Sequence, residues 1–288
     1  MRFKSALAAK HSFFFWKTVK IIHKPEQYVR ASGFCSESNI HSYYWLFPFL
    51  WPMRSWLCII ITLFASTILA QNHTIYLLSG QGSDERIFQE IEWDSTQYSA
   101  QYLPYLIPER GEKMIAYAKR IAASIDTSRP YSIIGVSLGG MLASEMKTFL
   151  NPEKVIIISS AKCRSELPLR YRLQRYLPFY ALVPKAWLKA GALVAQPLFE
   201  PDRKSHKETF VSMLKAKDKR FTKRSIRMIM NWEKEECDSE IAHIHGNNDH
   251  TLPIRRITAS HIVENGSHMI CLTRAKEVSR VIHEILSH

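Results

Sequence analysis

The chain has 288 residues, of which 46% are hydrophobic and 23% are charged, and its formal net charge is +13 at pH 7. This composition excludes a wholly disordered or collagen-like chain, and the length allows one large or two small domains. The charge is uneven, because residues 161–235 hold 18 Lys and Arg against 7 Asp and Glu, a net +11. No zinc-finger, RNP or basic-zipper pattern accompanies this charge, so nucleic acid is not an expected partner.

An apolar, uncharged run occupies residues 56–70. It is shorter than the roughly 20 residues that a membrane-spanning helix needs, and it fits the apolar region of a secretory signal that is cleaved after Ala70. We therefore predict a signal peptide or signal anchor at 53–70 and interpret residues 1–52 as a non-structural extension or a mis-assigned start. Cleavage would export the protein to the periplasm or the extracellular space, whereas a retained run would anchor it in the membrane.

From residue 74 onward, short β-branched strands alternate with amphipathic helices. The predicted strands are 74–78, one within 98–107, 131–136, 154–159, 241–245 and 259–263. The predicted helices are 112–125, 138–150 and 272–286. This alternation predicts an α/β fold with a mostly parallel sheet and helices on both faces. Residues 161–235 interrupt it and are predicted to form a helical cap over one end of the sheet.

The strongest motif is the pentapeptide GVSLG at 135–139, between a predicted strand and a predicted helix. The pattern G-x-S-x-G in this setting forms a sharp turn that exposes the serine in a strained conformation, and its glycines let neighbouring backbones pass closely. The helix that begins at Leu138 directs its N-terminal N–H groups at the same place, where they favour a developing oxyanion. We therefore predict that Ser137 is a nucleophile.

A serine nucleophile needs a base, and the base needs an acid that orients it. Among the 12 histidines, His268 lies in a glycine-containing loop directly after a predicted strand. Asp249 lies in a turn after the preceding predicted strand. A carboxylate there would fix the tautomer of His268 and stabilise the imidazolium that forms. We predict that His268 is the base and Asp249 the acid.

The order Ser137, Asp249, His268 along the chain distinguishes between unrelated folds, and Ser-Asp-His is the order of the α/β-hydrolases. On these residues the chain resembles the α/β-hydrolase family over residues 74–288. The family's acid motif, G-x-x-D-x-x-x-P, is matched by residues 246–253. The resemblance implies the same three roles: nucleophile, acid and base.

The resemblance also implies a domain organisation. Before residue 74 there is no room for the first two strands of the larger family members, so we expect a trimmed sheet of about six strands. The hydrolase domain would span 71–288, with the cap insertion at 161–235.

The predicted oxyanion hole rests on backbone groups. Family members commonly carry His-Gly after the first core strand, whereas this chain has Ser79-Gly80. By position, the backbone N–H groups of Gln81 and Leu138 would hold the oxyanion, and Gly82 is the near alternative to Gln81.

These residues predict a serine hydrolase that cleaves a carboxylic ester, or a related acyl bond such as a thioester, through an acyl-enzyme. The expected partner is a small acyl substrate. The basic cap is interpreted either as a solvated face or as a surface that docks on an anionic membrane or attracts acidic substrates. No cofactor and no metal are expected, since His243 and His245 are not joined by other ligands at metal-binding spacing. The alternatives are a non-catalytic ligand-binding protein of the same fold and a membrane-anchored interaction protein.

Three cysteines fall within residues 71–288, namely Cys163, Cys237 and Cys271. An odd number leaves at least one unpaired or paired between chains. We interpret all three as buried thiols without a role.

Overall fold

A six-stranded parallel sheet organises the part of the chain that the computed structural model describes, residues 73–184 and 206–288. The strands are β1 (His73–Leu78), β2 (Tyr98–Tyr102), β3 (Tyr131–Val136), β4 (Val155–Ile158), β5 (Ala242–Gly246) and β6 (His261–Val263). Their order in the sheet is β2-β1-β3-β4-β5-β6, and every neighbouring pair is parallel. The predicted α/β fold with a trimmed sheet is confirmed.

Eight α-helices accompany the sheet in these residues. They are α1 (Met114–Ala122), α2 (Leu138–Met146), α3 (Leu169–Arg172), α4 (Phe179–Leu182), α5 (Lys207–Ala216), α6 (Lys219–Met230), α7 (Ile270–Thr273) and α8 (Ala275–Leu286). Helix α1 forms where Met114, Tyr117 and Ile121 recur at three- and four-residue spacing, and all three side chains are buried. The predicted helix 272–286 is divided at Arg274, because its backbone (φ −132°, ψ 31°) is not helical.

The sheet is packed on both faces, because successive side chains of a strand point to opposite sides. Ile133 of β3 belongs to the buried cluster that includes residues of α1 and α2, whereas Ile134 belongs to the cluster that includes residues of α7 and α8. All residues of β3 and β4 are buried, in agreement with their apolar sequences. Each such isoleucine contributes about 1.5–3 kcal/mol relative to an exposed one.

The described residues between β4 and β5 include helices α3 to α6, in the region where a helical cap is predicted at 161–235. Helix α6 begins after Asp218, whose carboxylate accepts hydrogen bonds from the backbone N–H groups of Arg220 (2.6 Å) and Phe221 (3.2 Å). Phe221 and Met228 are buried on one side of this helix. The boundaries of the cap stay a prediction.

The predictions for residues 1–52 and 53–70, an extension and a signal, lie outside the described residues. Within residues 73–184 and 206–288, no helix has the length and apolar character needed to cross a membrane.

A disulfide links Cys163, after β4, to Cys237, before β5, with 4.9 Å between the two Cα atoms. The interpretation of these two residues as buried thiols is therefore wrong, whereas Cys271 is buried and unpaired. Cysteine spacing did not reveal the pair, because its members are 74 residues apart and meet only through the sheet. The bond joins the two ends of the insertion between β4 and β5.

Removal of this disulfide in a Cys163→Ala/Cys237→Ala variant is expected to lower the free energy of unfolding by about 2–4 kcal/mol, because the unfolded chain loses a constraint. Urea unfolding under oxidising conditions measures the effect. A Cys271→Ala variant, which keeps the disulfide, is the matched control. A reductant should lower the free energy of unfolding of the wild type and of Cys271→Ala but not that of the double variant. Equal stability of the double variant and the wild type would contradict a structural disulfide.

Candidate active site

Ser137 lies at a sharp turn between β3 and α2. Its backbone has φ 53° and ψ −116°, a conformation that residues other than glycine rarely adopt. The turn is held on both sides, because the N–H of Ser137 donates to the carbonyl oxygen of Ile158 (3.0 Å) and the hydroxyl of Ser160 donates to the carbonyl oxygen of Ser137 (2.6 Å). The side chain of Ser137 is left partly exposed at the carboxyl end of the sheet.

Close backbone packing around this turn requires glycine. A Cβ on Gly139 would lie 2.2 Å from the carbonyl oxygen of Leu78, at the end of β1. A Cβ on Gly135 would lie 2.3 Å from the carbonyl group of Gly139. These neighbours are backbone atoms and cannot move aside, so α2 can begin directly after Ser137 only with glycine at these positions.

The three residues predicted to act together meet at the carboxyl end of the sheet. Nε2 of His268 lies 3.0 Å from Oγ of Ser137, and Nδ1 of His268 lies 2.6 Å from Oδ2 of Asp249. Both distances are those of hydrogen bonds. The side chain of Asp249 is fully buried, whereas 12% of the side chain of His268 is exposed.

The electrostatics around Asp249 keep its carboxylate ionised. Burial acts to raise the pKa of Asp249, but His268 and the N–H of Leu252 lower it by more, so the pKa is below its ordinary value. The N–H groups of Thr251 and Leu252 donate to Oδ1 at 2.7 and 2.8 Å. Because a carboxylate only accepts, His268 donates from Nδ1, and the lone pair on Nε2 faces the hydroxyl of Ser137. This arrangement can take the proton of that hydroxyl.

The turn that carries Asp249, after β5, and the loop that carries His268, after β6, are joined by backbone contacts. The N–H of Asn248 donates to the carbonyl oxygen of Gly266 at 2.9 Å. A Cβ on Gly246 would lie 2.2 Å from the same carbonyl oxygen. The N–H of Asn265 donates to Oδ1 of Asn247 at 2.7 Å. These contacts fix the separation between the acid and the base.

The loop after β1 lies against the serine. A Cβ on Gly80 would lie 3.4 Å from Cβ of Ser137. Among the described residues, none accepts a hydrogen bond from the backbone N–H groups of Gln81, Gly82 or Leu138. The structure thus leaves both predicted oxyanion donors, Gln81 and Leu138, available, together with the alternative Gly82.

Two side chains that the sequence patterns did not reveal hold this loop. The hydroxyl of Tyr105 donates to the carbonyl oxygen of Ser79 at 2.5 Å, and the N–H of Gly80 donates to Oγ of Ser83 at 2.9 Å. Tyr105 lies in an irregular segment after β2, where no periodicity or motif connects it to the loop. Its bond and that of Ser83 orient the N–H groups that follow Gly80.

Two buried histidines of β5 lie behind Asp249. Nε2 of His245 lies 2.8 Å from the carbonyl oxygen of Leu252 and 3.4 Å from Oδ2 of Asp249. Because a carbonyl oxygen only accepts, His245 donates from Nε2, and its Nδ1 accepts at 3.1 Å from Nε2 of His243 when both rings are neutral. His245 therefore supports the acid, and its place directly before the acid motif, four residues from Asp249, is the sequence signal for this role.

Burial favours the neutral form of both rings in the folded protein. Burial lowers the pKa of His245, and burial together with the nearby His245 lowers the pKa of His243 well below 6.5. Nδ1 of His243 is buried without a partner among the described residues, so a proton there would be unsatisfied. Within the same residues, no group of three or more His, Cys, Asp or Glu is arranged to hold a metal ion.

The free energy of unfolding is expected to fall as the pH drops below 6.5, the ordinary pKa of histidine. Below that pH the unfolded chain binds a proton on His243 and the folded chain does not, so the loss from this residue is up to about 1.4 kcal/mol per pH unit. Urea unfolding between pH 7 and pH 5 measures the slope. A His243→Gln variant, which keeps an N–H donor, should have a smaller slope, and a variant of the exposed His288, His288→Gln, should keep the original one. If the free energy of unfolding had the same slope against pH in all three proteins, a neutral His243 in the folded state would be contradicted.

The family model described as the alpha/beta hydrolase family matches residues 39–281. Three solved structures have a similar fold. A lipase-esterase related protein from Clostridium acetobutylicum has a TM-score of 0.54 and 16% identity, and the match covers 75% of this chain and 96% of that one. An esterase from Exiguobacterium antarcticum has a TM-score of 0.57 and 13% identity, with 76% and 93% covered. The enol-lactonase from Burkholderia xenovorans has a TM-score of 0.57 and 12% identity, with 75% and 92% covered.

No curated protein matches the chain. At these low identities the solved structures bear on the fold, whereas the family model covers most of the chain. The family model supports hydrolase activity in general. The chain belongs to the α/β-hydrolase family.

Proposed function

We propose that the protein is a serine hydrolase that cleaves a carboxylic ester through an acyl-enzyme on Ser137. The observation that carries the proposal is the continuous line of hydrogen bonds from Ser137 through His268 to Asp249, at 3.0 and 2.6 Å. A weak nucleophile, its base and an acid that orients the base are all within reach of one another.

In the acylation step, Oγ of Ser137 attacks the ester carbonyl carbon while Nε2 of His268 takes the hydroxyl proton. The backbone N–H groups of Gln81 and Leu138 donate to the oxyanion of the tetrahedral intermediate. When this intermediate collapses, the bond between the carbonyl carbon and the alcohol oxygen breaks. His268 gives its proton to that oxygen, and the alcohol leaves. Asp249 stabilises the imidazolium and keeps its own charge.

In the deacylation step, water takes the place of the alcohol. His268 takes a proton from the water, whose oxygen attacks the acyl carbon, and the same N–H groups hold the second oxyanion. The bond to Oγ then breaks, Ser137 regains its proton from His268, and the carboxylic acid leaves. The cycle needs no group beyond the chain and water.

The names of similar solved structures support an ester as the substrate. Of the three solved structures described above, two are named as esterase or lipase-esterase related proteins, and the third is an enol-lactonase, whose name denotes a cyclic ester. Thioesters and amides require the same residues, so a substrate profile distinguishes them.

We also propose that the protein works outside the cytoplasm. The Cys163–Cys237 disulfide supports this location, because disulfides persist in oxidising compartments. The apolar run at 56–70 also supports it, because the run fits the apolar region of a secretory signal. In the alternative location, the same run is retained as a membrane anchor.

A rival function is ligand binding without catalysis. A binding protein has no need for a strained serine backbone or for a base aligned on that serine, and both are present here. The geometry therefore favours the hydrolase over the binding protein.

A fluorophosphonate probe, which forms a covalent bond only with an activated serine, tests the nucleophile. We expect the wild type to be labelled and Ser137→Ala to remain unlabelled, as measured by mass spectrometry of the intact protein. A variant of an exposed serine, Ser95→Ala, is the control that should retain labelling. Labelling of Ser137→Ala, or none in a folded wild type, would contradict the proposed nucleophile. The rates of hydrolysis of 4-nitrophenyl esters with short and long acyl chains, compared with those of matched thioesters and amides, then identify the bond that the enzyme cleaves.

An Asp249→Asn variant is expected to lower kcat for ester hydrolysis by about 10³–10⁴-fold while the thermal unfolding transition remains cooperative. The amide can donate to Nδ1 of His268 and so favour the tautomer in which Nε2 carries the hydrogen and cannot act as a base. Steady-state kinetics measure the loss. The exposed Asp126 supplies the control, since Asp126→Asn should leave kcat unchanged. A loss below about tenfold in Asp249→Asn would rule out its role as the acid.

A further inference from the structure

A groove of about 590 Å³ lies between α6, α4 and the loop before α1. We call it the basic groove, because its described lining contains six basic side chains and no acidic one. The six are Arg110, Arg175, Arg220, Lys223, Arg224 and Arg227. Four of them come from α6 alone, so a single helix supplies most of the positive charge.

The charges of the basic groove are largely uncompensated within the described residues. Neither Arg110 nor Arg227 makes a side-chain hydrogen bond or an ion pair there. Lys223 donates to a backbone carbonyl of α4 at 3.1 Å, and Arg224 donates to a backbone carbonyl before α1 at 2.7 Å. A carbonyl satisfies a hydrogen bond but leaves the positive charge in place.

The spacing of these residues raises the repulsion between them. Arg220 and Arg224 are four residues apart, as are Lys223 and Arg227, and like charges at this spacing destabilise a helix. The described carboxylates near them are at the margin, where Asp218 lies 3.5 Å from Arg220 and Glu233 lies 3.7 Å from Arg175. A bound anion would relieve this repulsion.

Exposed apolar side chains are concentrated beside the basic groove. Of the nine large hydrophobic residues that are exposed in the described chain, six lie within residues 169–182. They are Leu169, Leu173, Tyr176, Leu177, Phe179 and Leu182. The exposed fraction reaches 75% for Tyr176 and 81% for Leu182. Clustered exposure of this kind is typical of an interaction surface, whereas scattered exposure is not.

The two features share one short segment of chain. Pro178, Tyr180 and Ala181 line the basic groove, and their neighbours Phe179 and Leu182 are exposed. Positive charge and exposed apolar surface are therefore adjacent on α4 and α6.

We propose that the basic groove and the exposed side chains of residues 169–182 form a docking surface for a membrane that contains anionic phospholipid. The phosphate groups would lie among the arginines, and the leucines and aromatic rings would enter the boundary between headgroups and acyl chains. A soluble phosphate compound would use the cations but would leave the apolar side chains in water. An RNA would use the charge and could stack on rings, but it would give no place to four leucines. The inference does not depend on the proposed hydrolase activity.

Photo-crosslinking on the full chain tests the proposal and locates the contact. Vesicles of phosphatidylcholine with 30% phosphatidylglycerol, the latter carrying a photoreactive group in its acyl chain, are irradiated with the protein, and labelled peptides are identified by mass spectrometry. We expect labelled positions within residues 169–183. Because labelled positions are mapped, attachment of the apolar run at 56–70 to the vesicles does not obscure the result.

Two variants separate the parts of the surface. An Arg110→Gln/Arg227→Gln variant removes two charges that have no partner in the described structure, and it should reduce labelling of residues 169–183 by at least about tenfold, with the remaining labelling sensitive to salt. A Phe179→Ser/Leu182→Ser variant should reduce it similarly at all salt concentrations. A Lys276→Gln/Arg280→Gln variant loses the same amount of charge from α8, on the other face of the sheet. Its residues 169–183 should be labelled to the same extent as in the wild type. Thermal unfolding verifies that each variant is folded.

Three outcomes would overturn the proposal. The first is labelling confined to residues before His73. The second is equal labelling of residues 169–183 when the photoreactive lipid is phosphatidylcholine and no anionic lipid is present. The third is protection of the groove arginines from chemical modification by inorganic pyrophosphate or by single-stranded RNA but not by anionic vesicles, which would assign the basic groove to a soluble anion or to RNA.

Discussion

The rest of the site depends on the backbone contact at the beginning of α2. The backbone of Gly139 lies so close to the carbonyl oxygen of Leu78 that a Cβ on Gly139 would overlap this oxygen. With this contact the helix begins directly after β3, and Ser137 has a strained backbone with positive φ, at a cost of about 1–3 kcal/mol. Complete burial of the nine residues of α2 offsets that cost, so the strain persists in a stable fold.

The parallel sheet turns this local constraint into a site. Neighbouring strands that run in the same direction bring their carboxyl ends to one edge, where ligands of such sheets bind. The loop with the candidate oxyanion donors follows β1, the serine follows β3, Asp249 follows β5 and His268 follows β6. Pairing of Leu78 with Gly135 and of Gly246 with Val263 aligns these ends. Four segments that are far apart in the sequence therefore meet at one edge of the sheet.

Sequence patterns predicted those parts of the molecule that rest on local periodicity or on a short motif. The strand 131–136 is present at its predicted bounds, because a buried parallel strand must be apolar throughout. The groups that support the site escaped prediction, because each depends on distant packing. Tyr105 reaches the loop after β1 from an irregular segment, and Cys163 meets Cys237 only when β4 and β5 are paired. The division of the last helix at Arg274 was missed for a different reason, since apolar spacing continues through a single non-helical residue.

Helix α6 connects the chemistry at the sheet edge to the charge of the insertion. On its buried side, the carbonyl oxygen of Thr222 accepts a hydrogen bond from the side-chain amide of Gln81 at 3.2 Å, so the helix contacts the loop that carries a candidate oxyanion donor. The same helix carries the arginines of the basic groove. The net charge of +13 arises largely from residues 161–235, and the strands and loops of the site are not its source. The repelling basic side chains and the acceptor for Gln81 therefore belong to one helix, so α6 is shared by the basic groove and the loop beside Ser137.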